Sequence, residues 1–240
     1  MSTTTSVTSV TTTWTRVDAV RRRLALSGPV LGALMLVASG VLNLGPAGDS
    51  MRASFEAMAA RSGQILVADV LETLGFLFVL ASFAALAGVL RRRGAMVATW
   101  GAPLCLLGSA GFAMSNATGL GIVGLAQLPD HDAAFATALA AFQGGTGTAT
   151  GMVETLLEVL GQVGLVLVTV GLVRARVVGW WAVLALAVGM VVDVALGSAT
   201  GTLVADVLLL VVSAGVVGGL TRAGRGTWLG AERQVAPAAS

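Results

Sequence analysis

Six stretches of the chain, residues 24–44, 65–90, 95–125, 152–173, 177–196 and 203–220, are long and apolar enough to cross a lipid bilayer. A helix needs about 20 apolar residues to span a hydrocarbon core about 30 Å thick. Inside that core every backbone N–H and C=O must find its partner within the protein, which leaves helices as the fold for such segments. The third stretch is expected to end near Asn116. The sixth is short, and the turn before it, residues 197–201, holds two glycines and two hydroxyl residues.

Composition closes off other classes. The chain is 56% hydrophobic and 11% charged, with a mean hydropathy of +0.90, against about 25% charged in soluble domains. That leaves too little polar surface for a water-soluble enzyme. A lone cysteine, Cys105, excludes an internal disulfide framework and a thiolate-rich metal site. A lone histidine, His131, excludes bis-histidine haem ligation, and the absence of lysine excludes a retinal Schiff base.

Arginine placement sets the expected orientation. Arg16, Arg21, Arg22 and Arg23 precede the first span. Arg91, Arg92 and Arg93 follow the second, Arg174 and Arg176 follow the fourth, and Arg222, Arg225 and Arg233 follow the sixth. Only Arg52 and Arg61 fall on the opposite side. The positive-inside rule therefore puts both termini in the cytoplasm. Residues 1–20 read as a disordered tail rich in Ser and Thr, residues 21–220 as a transmembrane domain, and residues 221–240 as a second tail. The first apolar run exceeds a signal-peptide core and lacks a good cleavage site, so it is expected to be retained.

The chain repeats itself three times. Leu71-Glu72-Thr73-Leu74-Gly75 matches Leu157-Glu158-Val159-Leu160-Gly161, and Asp206 takes the register of the two glutamates. Gly28 precedes Asn43 by the same interval that separates Gly101 from Asn116, and Asp193 stands where those asparagines stand. The unit is an αα-hairpin used in tandem, each copy starting on the same side of the membrane, so the copies are expected to relate by an axis along the membrane normal. Two outer loops carry Met51, Phe55 and Met58, and Phe135, Leu139 and Phe142, at helical spacing. Asp49, and Asp130 with Asp132, lie near the helix starts, where they suit caps and the helix dipole.

One constellation carries chemistry. Asp69, Glu72, Glu154, Glu158, Asp193 and Asp206 lie in or at the edge of the spans, with no basic residue among them. At the helical rise they sit about 24 to 30 Å above the cytoplasmic arginines, one slab near the outer boundary, with Asn43 and Asn116 at its upper edge. Asp69 and Glu72, and Glu154 and Glu158, share helix faces. An Asp costs about 2.5–3.5 kcal/mol at a span centre, and convergent acids also repel. They must be hydrated, protonated or neutralised by a cation. A proton relay and an all-oxygen site for a hard cation both fit. The plainer reading has each acid facing water or headgroups and bonded to loop backbones, Arg52 and Arg61.

Other residues offer less. His131 between two acids reads as a solvated cap and Cys105 as core packing. The sequon Asn116-Ala117-Thr118 carries little weight in a chain of bacterial character. No phosphate loop, dinucleotide fingerprint, zincin motif or nucleophile elbow is present, so neither a cofactor nor an enzymatic reaction is expected. The short arginine clusters abut spans and suit anionic lipids, not nucleic acid.

The Arg-flanked spans, the acids early in the second span (Asp69, Glu72) and the run of residues 174–181 into a final apolar pair resemble six-helix integral membrane proteins of high-GC bacteria that are grouped as domains of unknown function. The resemblance implies an architecture and no activity. The expectation is an all-α, six-span plasma-membrane bundle of three hairpins. Its function would be binding of protons or cations at an outward carboxylate cluster, as a small permease or sensor. The alternative is a structural or accessory subunit whose small-residue faces pack against a second copy or another membrane protein.

Overall fold

Apolar runs that must satisfy their own backbones become helices, and the computed structural model describes residues 16–45, 50–90, 94–145 and 148–222 as little else. Eight helices follow in order: α1 (Arg16–Asn43), α2 (Met51–Ala60), α3 (Ser62–Val89), α4 (Ala95–Ala126), α5 (His131–Gly145), α6 (Ala149–Arg174), α7 (Trp181–Leu196) and α8 (Ala199–Arg222). Five of them, α1, α3, α4, α6 and α8, are long and apolar enough to cross a membrane, and α7 is a shorter apolar helix of 16 residues. Residues 1–15, Asp49, Arg91, Arg92, Arg93 and residues 223–240 lie outside the described residues, as does the side chain of Phe142.

Helix boundaries depart from expectation at four places, each for a local reason. The first helix begins at Arg16, inside the stretch expected to be a disordered tail. The fourth does not stop near Asn116 but runs on to Ala126. Its extension carries Ile122, Leu125 and Ala126, whose apolar surface α2 and α5 cover through Phe55, Ala134, Ala138 and Phe135. The fifth apolar segment becomes helical only at Trp181. The chain ahead of it closes α6 with a Schellman motif, in which Val177 N–H donates to Leu172 C=O at 2.9 Å and Arg176 N–H to Val173 C=O at 2.9 Å. Arg176 takes the left-handed position, φ 61°, usually given to glycine. The last turn is shorter than expected because Ser198 caps α8, accepting from Gly201 N–H at 3.4 Å.

The helices pack as antiparallel pairs, α1 with α3, α4 with α6, α7 with α8, and the pairs join α3 to α4 and α8 to α1. The remaining junction, α6 to α7, is slight. The result is a ring of three hairpins with one loose seam. Glycines set the closest approaches. A Cβ on Gly108 would lie 2.1 Å from Gly161 Cα, and one on Gly32 would lie 2.7 Å from Gly75 C=O. Small residues of this kind let membrane helices pack backbone to backbone. The core between the pairs holds Phe83, Leu36, Leu86, Leu172, Val168 and Val212, while α7 turns Leu184, Val188, Val191 and Val194 outward.

Candidate functional site

Acids of three helices lie at one end of the ring, the end that carries α2 and α5. Glu72 enters from α3, Asp206 from α8 and Asp193 from α7, near enough for Asp206 to feel both other carboxylates. Glu72 is also within electrostatic reach of Asp69 and, across the ring, of Glu158 on α6.

Their partners differ in kind. Ser39 of α1 donates to Glu72 Oε2 at 3.3 Å. Thr202 donates to Asp193 Oδ1 at 2.7 Å, tying the end of α7 to the start of α8. Ser115 of α4 lies beside Glu158, and the Thr118 hydroxyl lies 3.3 Å from Glu154 Oε1. Asp206 has no hydrogen-bond partner among the described residues and is only 6% exposed. Gly40 of α1 lies against it, where a Cβ would be 3.3 Å from Asp206 Oδ2. A larger residue at position 40 would press on the carboxylate.

Asp206 and Asp193 open into a chamber of about 90 Å³, bounded by α3, α4, α6, α7 and α8 and partly open to the surroundings. Its walls are mostly apolar, Leu165, Leu186, Met190 and Leu209 among them, with Gln162 and Thr202 the other polar side chains. Phe76 and Phe112 stack in the wall, ring centroids 3.8 Å apart and 8° from parallel. Two of the six expected acids thus line the chamber, and Glu72 stands beside them. Asp69 flanks Glu72, and Glu154 and Glu158 face α4.

The two asparagines are not in the chamber wall. Asn116 donates to Thr73 Oγ1 at 3.0 Å, bridging α4 and α3, and Asn43 ends α1. Nor do the loop arginines serve the acids. Arg61 donates to the C=O groups of Leu42 and Leu44, at 2.8 and 3.0 Å, closing the end of α1. Arg52 pairs with Asp132 and Glu56, and those hydrogen bonds, Asp132 first, hold its guanidinium above its ordinary value. Arg52 also lies over the Phe135 ring, 5.7 Å from its centroid, and Phe55 meets that ring edge-on at 5.6 Å. The two short helices are clasped to each other over the end of α4. Among the described residues no cation pairs with any of the six span acids.

His131 is exposed at the start of α5, and Asp130 caps that helix by accepting from Ala133 N–H at 3.1 Å. Among the described residues no group of three His, Cys, Asp or Glu side chains is arranged to hold a metal ion. Sequence reading missed Ser39, Ser115, Thr118 and Thr202 as partners of the acids; a hydroxyl at the depth of the acids was the available signal. It also missed the Phe76–Phe112 pair, which apolar patterning cannot tell from ordinary core. The chain matches no protein-family model, and no curated protein or solved structure is similar to it.

Proposed function

We propose that this is a six-span plasma-membrane protein with both termini cytoplasmic, which takes up a proton or a singly charged cation at an outward-facing carboxylate site. In this reading α7 is the sixth span. Its 16 residues rise about 24 Å, and local bilayer thinning accommodates a short span at modest cost. Trp180 and Trp181, both exposed at its start, suit the headgroup layer.

One observation carries the functional part: Asp206 is buried, has neither a hydrogen bond nor a counter-charge among the described residues, and lies within electrostatic reach of two further carboxylates. An unpaired buried charge is costly unless it is neutralised. A proton or a cation supplies the neutralisation, and its arrival or departure is what a permease couples to transport or a sensor reports. Exchange also needs a path, and the chamber beside Asp206 offers one.

Thermal melting of the detergent-purified chain across pH, with and without a divalent ion, tests the site against Glu72→Gln and Glu158→Gln. Acid pH should raise the wild-type melting temperature. Glu72→Gln should blunt that response strongly, and Glu158→Gln, lying off the chamber, less. Superimposable pH profiles for all three proteins refute the reading. Stabilisation that requires a divalent ion and ignores pH replaces the monovalent ligand with a metal.

A further inference from the structure

We propose that the chamber binds a small organic cation, an ammonium centre with short apolar substituents, its charge at Asp206 and its apolar body against the Phe76–Phe112 wall. The inference rests on the carboxylate site proposed above and names its ligand class.

Three observations converge on that chemistry. Asp206, 6% exposed and without a hydrogen bond among the described residues, lines the chamber. A buried carboxylate in that state calls for a partner that brings positive charge. The walls, by contrast, are apolar apart from Asp193, Thr202, Gln162 and Asp206. A strongly hydrated inorganic ion entering such a space would shed water and find few oxygens in exchange, and no three metal-ligating side chains converge among the described residues. An alkylammonium needs no directional ligand set, and its substituents gain from apolar surroundings. Finally, the stacked pair Phe76 and Phe112 adds apolar surface to the same wall, against which short alkyl substituents gain by burial.

The site should exchange its cation against a proton. Asp206 is faced by Glu72 from α3 and by Asp193 from α7, while Gly40 of α1 brings no charge. Glu72 is faced in turn by Asp69, Asp193 and Glu158. With only acids around it, the cluster holds a proton when the cation is absent and releases one when the cation binds. By linkage each weakens the other's binding by the same factor.

Tetramethylammonium titrated calorimetrically into the full chain in lipid nanodiscs tests this, with tert-butanol as a neutral probe of similar bulk and sodium chloride as charge alone. Tetramethylammonium should bind at about pH 8, and about tenfold more weakly at about pH 5. Its binding heat should vary with the ionisation enthalpy of the buffer, reporting proton release. Asp206→Asn should weaken it about tenfold or more. Met190→Phe, which narrows the chamber without touching a charge, should weaken it while leaving the pH-dependent melting intact. Equal binding of tert-butanol, equal competition by sodium, or indifference to both substitutions overturns the proposal. No tetramethylammonium binding by a wild type that still melts with the expected pH dependence removes the organic cation and leaves the proton site standing. Loss of both responses removes both.

Discussion

At the scale of single residues, Asp206 should run against the usual outcome of mutating a buried polar group. Removing one partner of a satisfied network destabilises, because the other partner is left bare. Asp206 has no partner to strand among the described residues, so Asp206→Asn removes repulsion from Glu72 and Asp193 and little else. On the proposed reading, in which the folded chain takes up a proton at this site that the unfolded chain gives up, wild-type stability should fall as pH rises. The asparagine variant should melt about as the wild type does near pH 5 and, by about 1–3 kcal/mol, more stably near pH 8. A variant less stable at both pH values contradicts the account. The acids themselves were legible in the sequence, since carboxylates in spans free of basic residues stand out by cost alone. Their individual states were not. Whether Thr202 reaches Asp193 or nothing reaches Asp206 depends on which way each helix is rotated, and apolar faces all round leave that rotation unmarked.

At the scale of helices, the glycines divide by what surrounds them, and their substitutions should divide the same way. A Cβ at Gly108 would lie 2.1 Å from Gly161 Cα and 2.8 Å from Gly161 N, backbone atoms that cannot turn aside. Gly108→Ala must push α4 from α6, at the overpacking cost of about 1–3 kcal/mol. Gly124, late in the same helix, has open space around it. There Gly124→Ala should be neutral or stabilising by up to about 1 kcal/mol through helix propensity. Melting the two variants beside the wild type measures both signs at once, and equal effects would mean that the crossing does not set the stability of this pair. Which of the 32 glycines sit at such crossings is not marked in the sequence. Helix lengths were read less well where tertiary contacts decide them. The end of α4 is fixed by Phe55 and Ala134 packed on it, residues remote in sequence. The start of α7 is delayed by a Schellman turn formed on Arg176, which carries no glycine to announce it.

At the scale of the whole molecule, the triplicated hairpin was the most legible feature, because repeats keep their register even when their residues drift. The ring it builds departs from threefold equivalence at one place, the slight contact between α6 and α7. The chamber lies on that side, walled by every long helix except α1. Neither asymmetry could be read from the repeats, which differ too little along those two helices to say which junction opens. Orientation is the remaining claim at this scale, and the protein supplies its own clean background for testing it, since its one cysteine, Cys105, is fully buried. A cysteine placed at Ala133, exposed on α5, should react with a membrane-impermeant maleimide added to intact cells. One placed at Thr221, exposed at the end of α8, should react only after the cells are opened. The arginine bias that fixes this expectation acts at the membrane surface and not within the fold. A reversed pattern would therefore turn the carboxylate chamber toward the cytoplasm, leave the ring and its contacts as they are, and make the proton or cation it takes an internal one.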